Sequence, residues 1–217
     1  MQTHLVSRIP DCLSLLKKLL STISSIVISV DLETTGLDPL TDKITVIAIS
    51  IIDAEGIPQV FIIDRDFQNS VAVIKQIFEA PSVLKILHNA KFDWKFLKHH
   101  FGVNLSPIRD TMQASRIIDN GLRNNEKGRH SLAGVSKKYL GVTLEKDDEL
   151  RQSFLGDDLS KRQIEYAAQD VIIPLRLHDV LLRQMDKGLM SILDLEGNCI
   201  PYTGQMELNG FLIDQVK

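Results

Sequence analysis

The sequence predicts an α/β fold in which a mixed β-sheet is flanked by α-helices and the C-terminal half is mainly helical. Three observations indicate this fold class. Short runs of aliphatic and β-branched residues lie between residues 26 and 64, strand and helix patterns alternate over residues 70–100, and most of the chain after residue 110 has helical periodicity. Ligands of such folds bind at the carboxyl ends of strands, so polar residues at those ends are candidates for function.

A helix followed by an antiparallel meander is predicted for the first part of the chain. The leucines of PDCLSLLKKLLS, residues 10–21, have helical spacing after a Pro-Asp start. Strands are predicted from residue 26, over 43–53 and over 59–64, because these runs are rich in Ile and Val and are bounded by turn residues.

Strand and helix alternate in the middle of the chain, and helices follow. The pattern predicts a helix near 70–80, a buried strand over 83–89 and a helix over 91–100. Further helices are predicted at TMQASRIIDN, at HSLAGVSKKYLG and from residue 160 to about 187. Ser160 and Gln163 form a capping box at the start of the last of these.

Length and composition indicate one folded domain. A chain of 217 residues with 44% hydrophobic and 24% charged residues suits a single α/β domain, which we expect to span residues 1–217. No apolar run approaches the roughly 18 residues of a membrane span. The N-terminus lacks the pattern of a signal peptide, so we expect a cytoplasmic protein with no membrane contact, with an organellar or host-cell setting as the alternative. Two cysteines, Cys12 and Cys199, are too few for a disulfide framework or a Cys-ligated metal.

The charge of the chain is unevenly distributed. The formal net charge is −3, but residues 91–138 contain ten Lys and Arg against four Asp and Glu, a net charge of +6. This basic segment is compatible with a phosphate-binding surface, and equally with a solvated helix surface.

Carboxylates interrupt apolar patterns at three places. In IVISVDLETTG, Asp31 and Glu33 end a buried strand and point to the same face, because strand side chains alternate. In HNAKFD, Asn89 and Asp93 are four residues apart at the start of a helix. Tyr166 and Asp170 have the same spacing in YAAQDVIIPL, beside residues that face the core. The four acids can therefore converge.

Four converging carboxylates need cations, because buried like charges repel. Oxygen ligands without nearby Cys or paired His favour two Mg²⁺ or Mn²⁺ ions over Zn²⁺. Two such ions can activate a water and stabilise the leaving oxygen of a phosphodiester, while a tyrosine hydroxyl orients the water. The residues thus predict metal-assisted hydrolysis of a phosphate ester.

The motifs DLETTGLD, HNAKFD and YAAQD, in this order, resemble those of the DnaQ-like, or DEDD, superfamily of 3′→5′ exonucleases. A tyrosine four residues before the last Asp, with Glu165 where the other branch has its histidine, resembles the DEDDy branch. That branch includes the proofreading domain of family A DNA polymerases and ribonuclease D. The resemblance covers about residues 26–182 and implies a ribonuclease H-like sheet with two catalytic metals.

The resemblance also implies roles for individual residues. Asp31, Glu33 and Asp170 would hold the metal that activates the nucleophile, with Asp31 bridging to a second metal held by Asp93. Tyr166 would align the attacking water. The residues at family positions that contact the substrate are Thr34 and Leu37 at the terminal nucleotide and Asn89 along the strand. Leu37 would alternatively be a core leucine, and Thr34 a turn cap.

DNA is the substrate that the resemblance favours. The segment IPYTGQMELNGFLID, residues 200–214, is similar to the junction between exonuclease and polymerase in family A enzymes, so we expect a core over about 24–187 and a junction-like tail over 188–217. Three arrangements are open: a free-standing exonuclease, a truncated polymerase relative, and one part of a split enzyme with a separate polymerase partner. A single-stranded 3′ end is expected to bind with little base specificity. Four basic-segment residues are candidates for gripping phosphates, although each is also compatible with a solvated loop: Arg123, Lys127, Arg129 and His130.

Two other functions remain open at this point. One is a ribonuclease D-like 3′→5′ exoribonuclease, which the 2′-hydroxyl of the substrate would distinguish from a DNA exonuclease. The other is a non-catalytic nucleic-acid-binding or polymerase-docking module. The presence of all four acids and Tyr166 argues against the docking module.

Overall fold

A mixed six-stranded sheet forms the centre of the molecule. The computed structural model of the chain describes residues 2–5, 14, 26–53, 56–64, 67–119, 127–144, 154 and 158–212. The strands are β1 (Gln2–Leu5), β2 (Ile26–Thr34), β3 (Ile44–Ile52), β4 (Pro58–Ile63), β5 (Val83–Leu87) and β6 (Ile108–Asp110). Their order across the sheet is β1-β4-β3-β2-β5-β6. The predicted helix over 10–21 lies outside the described residues, apart from the helical residue 14.

The antiparallel meander is confirmed, and parallel strands extend it on both sides. β2 pairs antiparallel with β3, and β3 pairs antiparallel with β4. β5 pairs parallel with β2, β6 pairs parallel with β5, and β1 pairs parallel with β4. β2 is therefore an interior strand whose carboxyl end lies beside that of β5. The register of β2 shifts between Glu33 and Thr34, where pairing with β3 ends.

Six helices are present in the described part of the chain. They are α1 (Phe67–Phe78), α2 (Ala90–Phe101), α3 (Thr111–Ile118), α4 (Leu132–Leu140), α5 (Lys161–Leu182) and α6 (Lys187–Asn209). The capping box at Ser160 and Gln163 is confirmed. The expected single helix to about residue 187 ends at Leu182, and Asp186 caps a separate helix, α6.

Helices cover both faces of the sheet. On one face, aliphatic residues of β2 and β3 pack with α1, α2 and Ile200 of α6. On the other face, Val46, Ala48 and residues of β4 pack with α5. A third cluster joins α3, α4, α5 and α6 beyond the β6 edge. No helix within the described ranges is long and apolar enough to cross a membrane.

Candidate active site

Three carboxylates meet at the carboxyl end of β2. Ile28, Val30 and Leu32 belong to the cluster under α2, so the alternation of the strand directs Asp31 and Glu33 toward α5. Asp170 lies on α5. Ligand oxygens of Asp31, Glu33 and Asp170 lie within 4.8 Å of one another.

Asp93 approaches the same strand end from the opposite face. It lies in the first turn of α2, and its Oδ1 accepts a hydrogen bond from the backbone N–H of Leu32 at 3.2 Å. Its side chain is buried. Burial raises the pKa of Asp93 well above its ordinary value, and the nearby charge of Asp110 raises it further. Asp93 thus packs against the strand segment between the two acids of β2.

Asp110 is a fifth acid at this end of the sheet, itself buried, which the sequence reasoning missed. Its Oδ1 accepts from the backbone N–H of Asn89 at 3.0 Å and of Met112 at 2.8 Å, and its Oδ2 accepts from that of Ala90 at 2.9 Å. It therefore caps the starts of α2 and α3 together. Burial raises the pKa of Asp110, although these bonds oppose the shift. An Asp directly before the helical pattern of TMQASRII is a helix-cap signal that could have identified it.

A cavity of about 570 Å³ lies over these acids. The predicted site residues that line it are Asp31, Glu33, Leu37, Asn89, Asp93, Tyr166 and Asp170. Leu37 is 82% exposed, which excludes the core alternative for this residue. Asn89 has a left-handed backbone conformation, with φ of 70°, and its side chain makes no cap bond. Both side chains are accessible from the cavity.

Several predicted substrate contacts lie elsewhere. Thr34 is not part of the cavity lining, and its hydroxyl donates to the carbonyl of Gly36 at 2.6 Å, as its turn alternative predicts. Arg129 donates from Nε to Asp119 at 2.8 Å. Lys127 is exposed and does not line the cavity. Arg123 lies outside the described residues.

His130 belongs to a hydrogen-bond network behind the cavity wall. Its carbonyl accepts from Nε2 of His88 at 3.0 Å, and its Nδ1 lies 2.9 Å from the hydroxyl of Ser115. Because a carbonyl can only accept, Nε2 of His88 carries the hydrogen. Burial lowers the pKa of His88 to about 4, so this side chain is neutral at ordinary pH. The network fixes the loop before α4, whose first residues line the cavity.

The sequence reasoning also missed other parts of the cavity wall. Besides His88, the additional residues of the lining are Leu32, Phe92, Met112, Arg116, Ser131, Leu132, Ala133, Leu144 and Gln169. Most have apolar side chains or lie at helix starts. Their sequence patterns indicate only secondary-structure elements and not a common site, so the contact with a shared cavity becomes visible only in the fold.

The donor set fits hard divalent cations. Asp31, Glu33 and Asp170 offer three carboxylate oxygens close enough to share one ion, and Mg²⁺ and Mn²⁺ prefer such oxygens. A zinc site would draw on imidazole or thiolate, and both ring nitrogens of His88 are already hydrogen-bonded. The three carboxylates can thus hold a cation at the floor of the open cavity.

Comparisons with known proteins agree with this chemistry. A family described as 3′-5′ exonuclease has a sequence profile that matches residues 7–186. DNA polymerase I of Rhizobium leguminosarum is 32% identical over 150 residues, which are 65% of this chain and 14% of that protein. Ribonuclease D of Xanthomonas oryzae is 28% identical over 127 residues, which are 58% of this chain and 33% of that protein. The chain thus spans a third or less of the length of these two relatives.

A solved structure shares the fold over nearly the whole chain. The structure of Brucella melitensis NrnC bound to pGG superposes with a TM-score of 0.74 and 24% identity, covering 99% of this chain and 96% of that one. This likeness confirms the predicted ribonuclease H-like sheet with its helical layers.

Proposed function

We propose that this chain, which belongs to the 3′-5′ exonuclease family, removes nucleoside 5′-monophosphates from the 3′ end of single-stranded or frayed DNA with the aid of two divalent cations. The observation that carries the proposal is the group of Asp31, Glu33 and Asp170 within 4.8 Å at the floor of an open cavity. Three acids brought together from a strand and a helix repel one another and so lower stability. Bound cations would compensate this repulsion and give the acids a function.

Each acid has a proposed role in holding the cations. Asp31, Glu33 and Asp170 would hold one Mg²⁺ or Mn²⁺, with Asp31 shared, and Asp93 would hold the second through its remaining oxygen or a water. When bound, such ions lower the pKa of a water and stabilise the leaving 3′ oxygen. The buried bond from Leu32 fixes one oxygen of Asp93, so its carboxylate has a defined position before any ion arrives.

The cavity wall would position the strand and the water. Tyr166, one turn before Asp170 on α5, would orient the attacking water through its hydroxyl, which would itself stay uncharged. Leu37 would pack beneath the terminal base, because its exposed side chain has no partner in the core. Asn89 would donate to the strand from the start of α2. None of these contacts reads a base edge, so little sequence preference is expected.

We propose DNA rather than RNA as the substrate. It is supported by the polymerase relative, the more similar of the two by identity and extent, and by the resemblance of residues 200–214 to an exonuclease-polymerase junction. We further infer that residues 1–217 act as one exonuclease domain and that a polymerase is its partner. Ribonuclease D relatives support the second candidate, a 3′→5′ exoribonuclease.

Digestion of matched oligonucleotides tests the proposal. A 5′-labelled DNA primer with an unpaired 3′ end and its RNA counterpart are incubated with Mg²⁺, Mn²⁺ or EDTA, beside Asp31→Ala. We expect a metal-dependent ladder that shortens from the 3′ end of DNA and is absent in the variant. Faster digestion of RNA would support the exoribonuclease. Metal binding without cleavage of either strand would support a docking module.

A further inference from the structure

Arg116 is the one arginine or lysine among the described residues that line the cavity. It lies on α3, with an exposed side chain. Its only hydrogen bond within the described part of the chain is a long one, 3.5 Å from Nη1 to Oε1 of Gln113. Arg116 lines the same cavity as the four acids, and its guanidinium has no evident structural task.

The other cations of the basic segment differ from Arg116 because carboxylates neutralise many of them. Arg129 and Lys138 both pair with Asp119. Arg109 pairs with Asp194 at 2.9 Å. On the far side of α2, Lys91 and Lys95 both pair with Glu207 of α6. The basic segment therefore presents much less free positive charge to a nucleic acid than its sequence indicates.

The charge of Arg116 acts on His88 of the cavity wall and on His130 behind it. It contributes to lowering the pKa of His88 and of His130, for which burial is the larger cause. Among the described residues Arg116 forms no ion pair, whereas Arg109 and Arg129 of the same segment do. Because Arg116 forms no ion pair with the acids, its guanidinium is available to a phosphate of the strand, and the substrates below test which phosphate it binds.

We propose that Arg116 binds a backbone phosphate of the substrate strand that is not itself hydrolysed, and so holds the strand in the cavity. This inference rests on the proposed function, since it requires a nucleic-acid strand as the substrate. Guanidinium groups match phosphate geometry with two parallel N–H donors, which a lysine cannot reproduce. The contact is made equally in the ground and transition states, so it contributes to KM and leaves kcat nearly unchanged.

Steady-state cleavage by Arg116→Ala tests this role, with Lys137→Ala as the matched control. Lys137 is an exposed lysine of α4 in the same basic segment that does not line the cavity, so its removal changes the net charge equally. We expect KM of Arg116→Ala to rise about tenfold with kcat within about twofold, and Arg116→Lys to recover only part of the loss. The slope of log KM against log salt should fall by about one. Lys137→Ala should match the parent in both constants.

Substrates with a single neutral methylphosphonate identify the phosphate. The parent should lose about tenfold in kcat/KM when the contacted linkage is neutral, and Arg116→Ala should lose almost nothing further at that linkage. Equal losses for both proteins at every linkage, or a fall in kcat with unchanged KM, would overturn the proposal. Failure of the proposed function is a separate result, because the parent protein would then cleave no strand or Asp31→Ala would cleave as the parent does.

Discussion

At the scale of single residues, the proposed function predicts that Asp31 lowers stability when no cation is bound. One of its carboxylate oxygens lies within 4.8 Å of a carboxylate oxygen of Glu33 and of Asp170. We expect Asp31→Asn to raise the melting temperature in EDTA by about 2–4 °C, because about 1 kcal/mol of repulsion is removed. Millimolar Mg²⁺ should raise the melting temperature of the parent and leave that of the variant nearly unchanged. Thermal unfolding with and without Mg²⁺ measures both effects.

The surface acid Asp158 provides a control, since Asp158→Asn removes the same charge from an exposed residue away from the cavity. This variant should keep the metal-dependent shift of the parent. A parent protein whose melting temperature did not respond to either Mg²⁺ or Mn²⁺ would contradict a cation site.

Lys85 makes the stability of the protein depend on pH at a distance from the cavity. It is fully buried in β5, and its Nζ donates to the carbonyls of Ala80 at 2.8 Å and Ser106 at 2.5 Å. Burial lowers its pKa to about 7, and the charge of Glu79 only partly offsets the shift. Since the folded-state pKa is depressed, folding favours the neutral amine. The contribution of Lys85 to the free energy of unfolding is therefore fully present above the unfolded-state pKa near 10.5. This contribution is lost as the pH falls to about 7.

We therefore expect the free energy of unfolding of the parent to rise relative to Lys85→Met between pH 7 and 9, by up to about 1.4 kcal/mol per pH unit. Urea unfolding at pH 6, 7.5 and 9 measures this difference. The variant also loses two buried hydrogen bonds, which adds an offset independent of pH, so only the slope is diagnostic. Parallel pH profiles would show that Lys85 stays charged in the folded protein.

Residues were easiest to predict where their chemistry conflicts with their surroundings. Asp31, Glu33 and Asp93 were identified because charges follow apolar patterns, and the structure brings them to one strand end. Arg129 looked free in the sequence, but Asp119, ten residues earlier, neutralises it. Such a pairing depends on how a loop returns to a helix, which periodicity does not specify.

At the scale of elements, Asp110 joins the starts of two helices. Its carboxylate accepts from three backbone amides that no carbonyl of α2 or α3 can satisfy. We expect Asp110→Ala to lower the free energy of unfolding by about 3 kcal/mol, because three buried donors lose their acceptor. Asp186→Ala, which removes an exposed cap from α6, should cost about 1 kcal/mol. Urea denaturation of the two variants compares the costs, and equal costs would mean that Asp110 acts as an ordinary cap.

Elements with strong local patterns were predictable, and elements made by tertiary contact were not. The meander, α2 and the capping box of α5 all follow from periodicity and cap residues. β6 has only three residues, too few for an alternating pattern, and exists because it pairs with β5. The helix α6 was not predicted, because it contains glycines and Pro201, which usually interrupt helices. It forms because its buried face has partners in α2, α3 and β6.

At the scale of the whole molecule, α6 connects the tail to the site. The tail expected over residues 188–217 is largely this helix, which packs on α2, and α2 carries Asp93. Gly197 lets α6 approach the backbone of β6, since a Cβ there would lie 2.2 Å from the carbonyl oxygen of Ile108. The tail is therefore part of the packed structure that positions the acids.

Gly204 tests this connection, because a Cβ at this position would lie 2.5 Å from Cε3 of Trp94, the residue after Asp93. We expect Gly204→Ala to lower the free energy of unfolding by about 2 kcal/mol through overpacking, although alanine favours helices. At Gly188, an exposed position of α6, an added Cβ would meet only the side chain of Asp186, at 3.2 Å, so Gly188→Ala should cost much less than Gly204→Ala. Urea unfolding followed by circular dichroism measures both.

Trp94 is the single tryptophan of the chain and is 2% exposed, so its fluorescence reports the α2–α6 contact directly. If α6 unfolds together with the sheet, the fluorescence and circular dichroism transitions of the parent will coincide. In Gly204→Ala we expect a red-shifted emission before unfolding and reduced metal-dependent cleavage, because displacement of α2 also moves Asp93. Unchanged emission together with parental stability would mean that α6 adapts to the added methyl, and the tail would then have no part in positioning the acids.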